Sequence, residues 1–306
     1  MVNNIIGGDE AALEAAALAF VKTQSEQNVS YVEVRYDPKR AARSSYAGNV
    51  TIPLDSAVRA IQRGLARGLE LSPPVEAHQL LCAMRDQPAA KCLEVAVLAA
   101  EMKDGSPGGV VGMDLAGNEW TKLTNTSEYV PCFRKAKELG LNTTIHVGET
   151  LPWPLHSHTA EDVWIAAVEM GCVYSMFVLS HHRADSRPRT HTSPHMYRVD
   201  RIGHGYAMAL SATSTNATIV DAVRSRGIHL EACPYTSNGE GSIKAIGVYR
   251  ELNLSFGINT DDPCMGCSGA PRSIVADEKL TRDKLGFQDA DLEEAYREAR
   301  KHAFAA

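Results

Sequence analysis

The stretch Asn142-Thr-Thr-Ile-His-Val-Gly-Glu149 carries a strand-like apolar run directly into a histidine, a glycine and a glutamate. Short continuous apolar runs are typical of strands that are buried on both faces of a parallel sheet. In folds of this kind, side chains at the carboxyl ends of the strands line the functional site. This stretch therefore predicts a buried strand that delivers His146 and Glu149 to a site.

Similar runs, rich in Val, Ile, Leu and Tyr, recur along the sequence. They predict strands over Val29–Tyr36, His78–Met84, Gly109–Leu115, Asn142–Val147, Asp200–Gly205, Gly227–Cys233 and Leu254–Asn259. Amphipathic patterns between them predict helices over Ala11–Gln24, Asp55–Leu69, Glu128–Leu139, Ala160–Met170 and Thr218–Arg226. The repeated strand–helix order predicts an α/β fold with a parallel sheet and right-handed crossovers, and it fits a TIM-type (β/α)8 barrel.

The number of strands falls short of the eight that a closed barrel of this type needs. The sequence begins with a helix, and the residues before residue 9 are too few for a strand with a functional loop. We therefore expect an incomplete barrel that lacks its first strand and has two open edges. Residues 1–306 are predicted to form a single domain.

Residues 172–199 interrupt the regular order between a helix that ends at Gly171 and the strand at Asp200. Helix-to-strand loops are usually about 2–6 residues long, and this segment is much longer. It shows no periodicity and is rich in Ser, Pro, Arg and His. Two interpretations stay open: translated intron or another gene-model artefact, and a genuine surface insertion.

The composition excludes several broad classes of protein. The net charge is −6, and no broad basic face is available for nucleic acid or a membrane surface. No apolar run approaches the roughly 20 residues that span a bilayer. Because the first residues also lack the pattern of a secretory signal, we expect a cytoplasmic protein that acts on a small molecule. The sequence does not predict an oligomeric state.

The seven cysteines are an odd number, and most lie within apolar patterns, as Cys82, Cys92 and Cys233 do. They are predicted to be reduced thiols in the core of a cytosolic protein. The pair Cys264 and Cys267 has the spacing of a redox or zinc motif, but a single pair of this kind is a weak signal.

Polar side chains follow five predicted strands in succession, and a barrel would bring them to one rim. The strand ends carry Asp114 and Glu119, His146 and Glu149, His204, Glu231, and Asp261 and Asp262. Zinc binds histidine nitrogen and aspartate oxygen, and it lowers the pKa of a bound water to about 7. A nearby glutamate such as Glu149 can shuttle protons. The set predicts a hydrolytic metal site.

Each of these residues also has a simpler interpretation. A single histidine at a strand end is more often a hydrogen-bonded structural residue than a ligand. The Asp261-Asp262-Pro263 sequence can cap a helix, and Asn118 and Glu119 can be solvated loop residues. Their joint occurrence on successive strand ends favours the functional interpretation.

The ordered motifs resemble the adenosine deaminase family in sequence and spacing. They are Gly112-Met-Asp-Leu-Ala-Gly-Asn-Glu119, Thr144-Ile-His-Val-Gly-Glu149, Arg201-Ile-Gly-His-Gly205, Cys233-Pro and Asn259-Thr-Asp-Asp-Pro263. Tyr31-Val-Glu-Val-Arg-Tyr36 and Leu81-Cys-Ala-Met-Arg-Asp-Gln-Pro88 resemble the second and third strands of the animal-type enzymes. The resemblance covers the chain from near residue 10 to near residue 300, apart from residues 172–199.

The resemblance implies a catalytic zinc ion with His146 and Asp261 among its ligands. Glu149 would protonate the purine N1 while water adds to C6. His204 would orient the zinc-activated water and stabilise the developing charge.

The resemblance also implies how the substrate is held and what it becomes. The backbone amide of Gly117 would reach the purine N3, and Asp262 would bind N7. The substrate would be adenosine or deoxyadenosine, and the products inosine or deoxyinosine and ammonia.

One departure from the family pattern concerns the zinc site. Family members carry a His-x-His pair at the end of the first strand, and no histidine precedes His78 in this sequence. His156 and His158 have the same spacing, and His181 and His182 are adjacent, but neither pair lies on a predicted strand end. With two protein ligands left, zinc affinity is expected to fall severely. The polypeptide is therefore predicted to have little or no deaminase activity.

Two other functions stay open. The first is a non-catalytic, nucleoside-binding relative. The second is a sibling deaminase of adenine, AMP or an N6-alkylated nucleotide. No basic cluster accompanies the rim motifs, and the Met84-Arg-Asp-Gln-Pro88 sequence favours the nucleoside enzymes.

Overall fold

The computed structural model describes residues 6–44, 51–119, 125–149, 159–170, 199–210, 214–240, 242–261 and 273–305. Its strands are β1 Tyr31–Tyr36, β2 Glu76–Met84, β3 Val110–Ala116, β4 Asn142–Thr143, β5 His146–Val147, β6 Arg201–His204, β7 His229–Ala232 and β8 Phe256–Ile258. All neighbouring strands pair in parallel. Every predicted strand is present, and the predicted parallel α/β fold is confirmed.

The strands run in the order β1-β2-β3-β4 and β5-β6-β7-β8. The predicted strand Asn142–Val147 is divided in two because β4 pairs with β3 and β5 pairs with β6. Backbone hydrogen bonds continue across the break: Thr144 N–H donates to the Met113 carbonyl at 3.0 Å, and Gly203 N–H donates to the Ile145 carbonyl at 2.8 Å. Residues 142–147 therefore connect the two four-stranded sheets, so that the strands follow one another in chain order, as they do in a TIM-type barrel.

Within the described residues, β1 and β8 lie at the two ends of this order, and each pairs with a neighbour on one side. This is the arrangement that the prediction of open edges expects.

Twelve α-helices lie among the described residues. They are α1 Glu10–Glu26, α2 Pro38–Ala41, α3 Leu54–Ala66, α4 Ala90–Glu101, α5 Val130–Glu138, α6 Thr159–Trp164, α7 Ala207–Leu210, α8 Ser214–Arg226, α9 Pro234–Glu240, α10 Lys244–Glu251, α11 Ile274–Leu285 and α12 Asp289–Lys301. All five predicted helices are present with shifted ends; the one predicted over Ala160–Met170 finishes in a π-helical turn, Ile165–Glu169.

Two hydrophobic cores hold these elements together. The larger lies between the strands and the helices that surround them, and includes Met113, Leu115, Val147 and Leu230. The smaller lies where α1 and α3 cover β1 and β2. Gly64 allows α1 and α3 to approach, because a Cβ there would lie 2.3 Å from the Glu14 carbonyl oxygen.

The prediction that Cys92 is a reduced thiol is wrong. Helices α4 and α5 pack side by side and bring the Cα atoms of Cys92 and Cys132 to 5.9 Å, where the two buried residues form a disulfide. Cys82 and Cys233 are free and buried, as predicted.

Several predictions concern residues outside the described ranges. These are the nature of the segment 172–199, of which only Val199 is described, the roles of Asp262, His156, His158, His181 and His182, and the Cys264–Cys267 pair. None of the helices in the described part of the chain combines the length and the apolar character needed to cross a membrane.

Candidate metal centre

The ends of β5 and β6 and the residues just after β8 bring three potential metal ligands together. His146, His204 and Asp261 each offer one ligand atom, and these atoms lie within 4.8 Å of one another. The two imidazole rings meet edge to face, with centroids 5.2 Å apart. The structure therefore places the two predicted zinc ligands, His146 and Asp261, beside each other and adds His204 to the group.

This donor set suits zinc. Two imidazole nitrogens and one carboxylate oxygen are ligands that zinc prefers, and a catalytic zinc site uses three protein ligands and keeps a position for water. The sequence predicted two remaining ligands. The structure brings His204 beside them, because His204 ends β6 next to β5, so its ring is close enough to contact the metal or a water bound to it.

His146 is oriented by Asp114, which lies in the second half of β3 and is fully buried. The His146 Nδ1 lies 3.0 Å from Oδ2 and 3.2 Å from Oδ1 of Asp114. A carboxylate can only accept a hydrogen bond, so Nδ1 donates and Nε2 is left as the ring atom for a metal. Burial opposes charge on this histidine, but the Asp114 carboxylate raises the pKa of His146 to about 9. A metal must therefore displace a proton from Nε2.

His204 and Asp261 both have a left-handed backbone, with φ values of 65° and 56°. Such conformations are unfavourable for residues other than glycine and are often found at functional sites. The Tyr249 hydroxyl donates a hydrogen bond to the His204 carbonyl oxygen at 2.8 Å and supports this conformation. Burial, with His146 nearby, lowers the pKa of His204 to about 4.

Glu149 lies beside the group, with its Oε1 3.6 Å from Nε2 of His204. Its backbone is fixed by Glu119, whose two carboxylate oxygens accept hydrogen bonds from Gly148 N–H at 2.8 Å and Glu149 N–H at 3.0 Å. Glu119 is buried, so its interpretation as a solvated loop residue is wrong. Burial raises the pKa of Glu119.

Gly117 follows β3 with a φ of 104°, a conformation that favours glycine. A Cβ at this position would lie 3.3 Å from the backbone nitrogen of Arg85. The guanidinium of Arg85 is fully buried and donates to the Thr126 hydroxyl at 3.0 Å and to the His146 carbonyl at 2.8 Å. Arg85 thus ties the Gly117 turn to the metal-binding strand, a role that the sequence did not reveal.

The fold and these residues define an α/β enzyme scaffold whose strand ends carry a potential metal site. A model of the adenosine deaminase family matches residues 1–163 and 191–306, and the chain belongs to that family. The unmatched residues 164–190 overlap much of the segment 172–199. The family is one of hydrolases that act on C–N bonds.

Relatives named adenosine deaminase occur in vertebrates and bacteria. The protein from Bos taurus is 26% identical over 313 residues, which cover 98% of this chain and 72% of the relative. The protein from Enterococcus faecalis is 27% identical over 277 residues, which cover 89% of this chain and 64% of the relative.

Solved structures share the fold. An amidohydrolase from Burkholderia ambifaria with bound zinc has a TM-score of 0.74 at 19% identity, covering 99% of this chain and 71% of its own. The N6-mAMP deaminase of arabidopsis has a TM-score of 0.70 at 21% identity, covering 97% and 75%. The similarity shows that the chain shares the α/β barrel fold of these structures.

Proposed function

We propose that this protein hydrolyses adenosine or deoxyadenosine to inosine or deoxyinosine and ammonia, with zinc held by His146 and Asp261. The observation that carries the proposal is the position of Glu149, 3.6 Å from His204 and beside the potential metal ligands. A carboxylate that can carry a proton next to such ligands serves hydrolysis, whereas a site that only binds a nucleoside needs neither. Family membership favours a purine substrate.

The residues would divide the reaction between them. Zinc, when bound, would lower the pKa of a water molecule enough for it to act as a nucleophile near neutral pH. His204 would orient that water and stabilise the charge that develops as it adds to C6. Glu149 would give a proton to N1, which makes C6 more electrophilic. The bond between C6 and the amino nitrogen then breaks. Of the two protons of the water, one returns to Glu149 and the other goes to the amino nitrogen, which leaves as ammonia while the added oxygen becomes the carbonyl oxygen of the product.

Two further groups would hold the purine ring in register with the reacting atoms. The backbone amide of Gly117 would donate to N3, and Asp262 would bind N7. Gly117 suits this role because its turn is anchored to the metal-binding strand through Arg85. Correct orientation of the ring keeps C6 within reach of the water.

A second candidate is deamination of adenine or of an N6-substituted AMP. It is favoured by structural neighbours that include the N6-mAMP deaminase of arabidopsis and the adenine deaminase of Arthrobacter aurescens. A phosphate-bearing substrate would need cationic side chains that can reach its phosphate. Near the site, the guanidinium groups of Arg35 and Arg85 are already engaged with protein partners. The nucleoside is therefore the preferred substrate.

A substrate panel tests this assignment. We would assay the 306-residue polypeptide with excess zinc against adenosine, deoxyadenosine, adenine, AMP and N6-methyl-AMP, following ultraviolet absorbance and product mass. The two nucleosides should be converted fastest, and a zinc chelator should stop conversion. Absolute rates should be low, because no strand end within the described residues carries a His-x-His pair.

The other outcomes are equally informative. Faster conversion of AMP or N6-methyl-AMP would transfer the assignment to the second candidate. Adenosine binding without any conversion, at saturating zinc, would favour a non-catalytic nucleoside-binding protein.

A cytoplasmic location stays a prediction from the sequence. The disulfide between Cys92 and Cys132 weighs against it, because cytosolic proteins rarely keep structural disulfides.

A further inference from the structure

One face of β1 carries charged side chains. Val32 and Val34 pack in the smaller hydrophobic core, whereas Glu33 and Arg35 alternate with them on the opposite face. Arg35 reaches Asp114 on β3, with Nη1 3.3 Å from Oδ2, and Glu231 on β7, with Nη2 2.7 Å from Oε2. The two carboxylate side chains are 0% and 6% exposed and that of Arg35 is 26% exposed. Such charges are tolerated only when they are well paired.

The contact between Arg35 and Asp114 leads directly to the metal centre. The same Asp114 oxygen, Oδ2, lies 3.3 Å from Arg35 Nη1 and 3.0 Å from His146 Nδ1. Asp114 is thus held from two sides, and its position sets the orientation of the His146 ring. Space beside that ring is also restricted, because a Cβ at Gly203 would lie 3.1 Å from its Cγ.

Arg35 is itself held in place by Glu231. That carboxylate also accepts a hydrogen bond from the Thr144 hydroxyl at 3.1 Å and lies 2.9 Å from Nε of Arg201. Arg201 in turn pairs with Glu33 at 2.5 Å. We call these linked residues, Arg35, Glu231, Arg201 and Glu33, the charge series. Arg35 and Arg201 therefore share Glu231, but of the two only Arg35 is paired with Asp114 in the described part of the chain.

We propose that Arg35 is a positioning residue for His146: by holding Asp114 in place it keeps Nδ1 of the imidazole as the hydrogen-bond donor to that carboxylate and Nε2 directed toward the metal centre. The inference rests on the proposed function in assigning zinc to His146. Outer partners that orient metal-binding histidines typically change metal affinity 10–100-fold when they are replaced. Arg35 acts one contact further out, so an effect at the lower end of that range is expected.

The test compares Arg35→Gln with Arg201→Gln as a matched control, since both remove one arginine from the same charge series. Zinc affinity is measured without substrate, by competition with a chromogenic chelator. The tautomer of His146, that is, which of its two ring nitrogens carries the proton, is measured by nitrogen NMR in metal-free protein at a pH where an NMR titration shows the ring to be neutral. Thermal unfolding is recorded for each variant.

Both substitutions should lower thermal stability, because each leaves a buried carboxylate with one partner fewer. Arg35→Gln alone should weaken zinc binding by about tenfold and leave His146 as a mixture of its two neutral tautomers. Arg35→Lys keeps the charge but cannot reach both carboxylates with a planar fork, so its zinc affinity should lie between those of the wild type and Arg35→Gln.

Equal losses of zinc affinity in Arg35→Gln and Arg201→Gln would overturn the proposal, as would an unchanged tautomer in Arg35→Gln. If Arg35→Gln does not fold, Arg35→Lys decides, and wild-type zinc affinity in a folded Arg35→Lys protein would overturn it. The proposed function fails separately, since zinc binding that depends on Arg35 without nucleoside turnover would refute deamination and leave the positioning role intact.

Discussion

Glu119 controls where the backbone of Glu149 lies, because its two carboxylate oxygens accept the N–H groups of Gly148 and Glu149. The sequence predicted that His146, Glu149, His204 and Asp261 meet, since residues at the ends of parallel strands share a rim. It could not predict the role of Glu119, because the direction of a loop side chain depends on tertiary contacts.

Glu119→Gln should lower both the stability of the fold and the turnover of substrate. The amide offers a single acceptor oxygen, so one of the two N–H groups loses its partner, at a cost of about 1–3 kcal/mol in the free energy of unfolding. Misplacement of Glu149 should reduce kcat by roughly 10–100-fold, which is less than the about 10²–10⁴-fold expected when the proton-transfer group itself is lost. Chemical unfolding and steady-state kinetics measure the two effects.

Glu128→Gln is the matched control, because Glu128 also accepts a backbone N–H, from Asn125 at 3.0 Å, but on the exposed surface. It should leave kcat unchanged. A kcat for Glu119→Gln equal to that of this control would refute the positioning role of Glu119.

At the scale of elements, the strands were predictable because strands buried on both faces read as continuous apolar runs. Helices α3 and α5 were predictable from their apolar stripes. Helix α4 was missed because it is apolar around much of its surface, with Leu93 and Val97 exposed. Helix α12 was missed for the opposite reason, since its sequence is dominated by charged residues.

The contact between β7, β8 and α12 should make stability depend on pH through His229. This buried residue hydrogen-bonds the Ser255 hydroxyl at 2.8 Å and stacks on His302, with ring centroids 4.8 Å apart. Burial, followed by His302 and Arg201, lowers the pKa of His229 to about 3. A histidine in the unfolded chain has a pKa of about 6.5. Between that pH and about 3, the unfolded chain therefore binds a proton at His229 and the folded chain does not.

The contribution of His229 to the free energy of unfolding is therefore fully present above about pH 6.5. It is lost as the pH falls toward 3, by up to about 1.4 kcal/mol per pH unit. Replacement by Gln should cost stability at pH 7.5, and that cost should shrink at pH 5. Urea unfolding of both proteins with a chelator present measures the difference. A stability difference that stays constant between the two pH values would show that His229 does not titrate in this way.

At the scale of the whole molecule, the sequence predicted a parallel α/β barrel, and the strand order, the structural neighbours and the family match confirm that fold. The disulfide between Cys92 and Cys132 could not be predicted, since residues 40 positions apart meet only when α4 and α5 pack. The charge series through Arg35, Glu231 and Arg201 was equally hidden, because it joins strands distant in sequence. The hydrophobic pattern of a segment predicts which of its faces is buried, but it does not predict which other helix or strand packs against that face.

The central claim is that the Glu149 carboxylate carries the proton in a zinc-dependent deamination. The most direct measurement is the rate of inosine formation from adenosine, with excess zinc, in the wild type and in Glu149→Gln. Loss of a general acid–base residue should lower this rate by about 10²–10⁴-fold, with zinc and adenosine affinity retained. Equal rates of inosine formation in the two proteins, or no inosine from a wild type saturated with both zinc and adenosine, would contradict the claim.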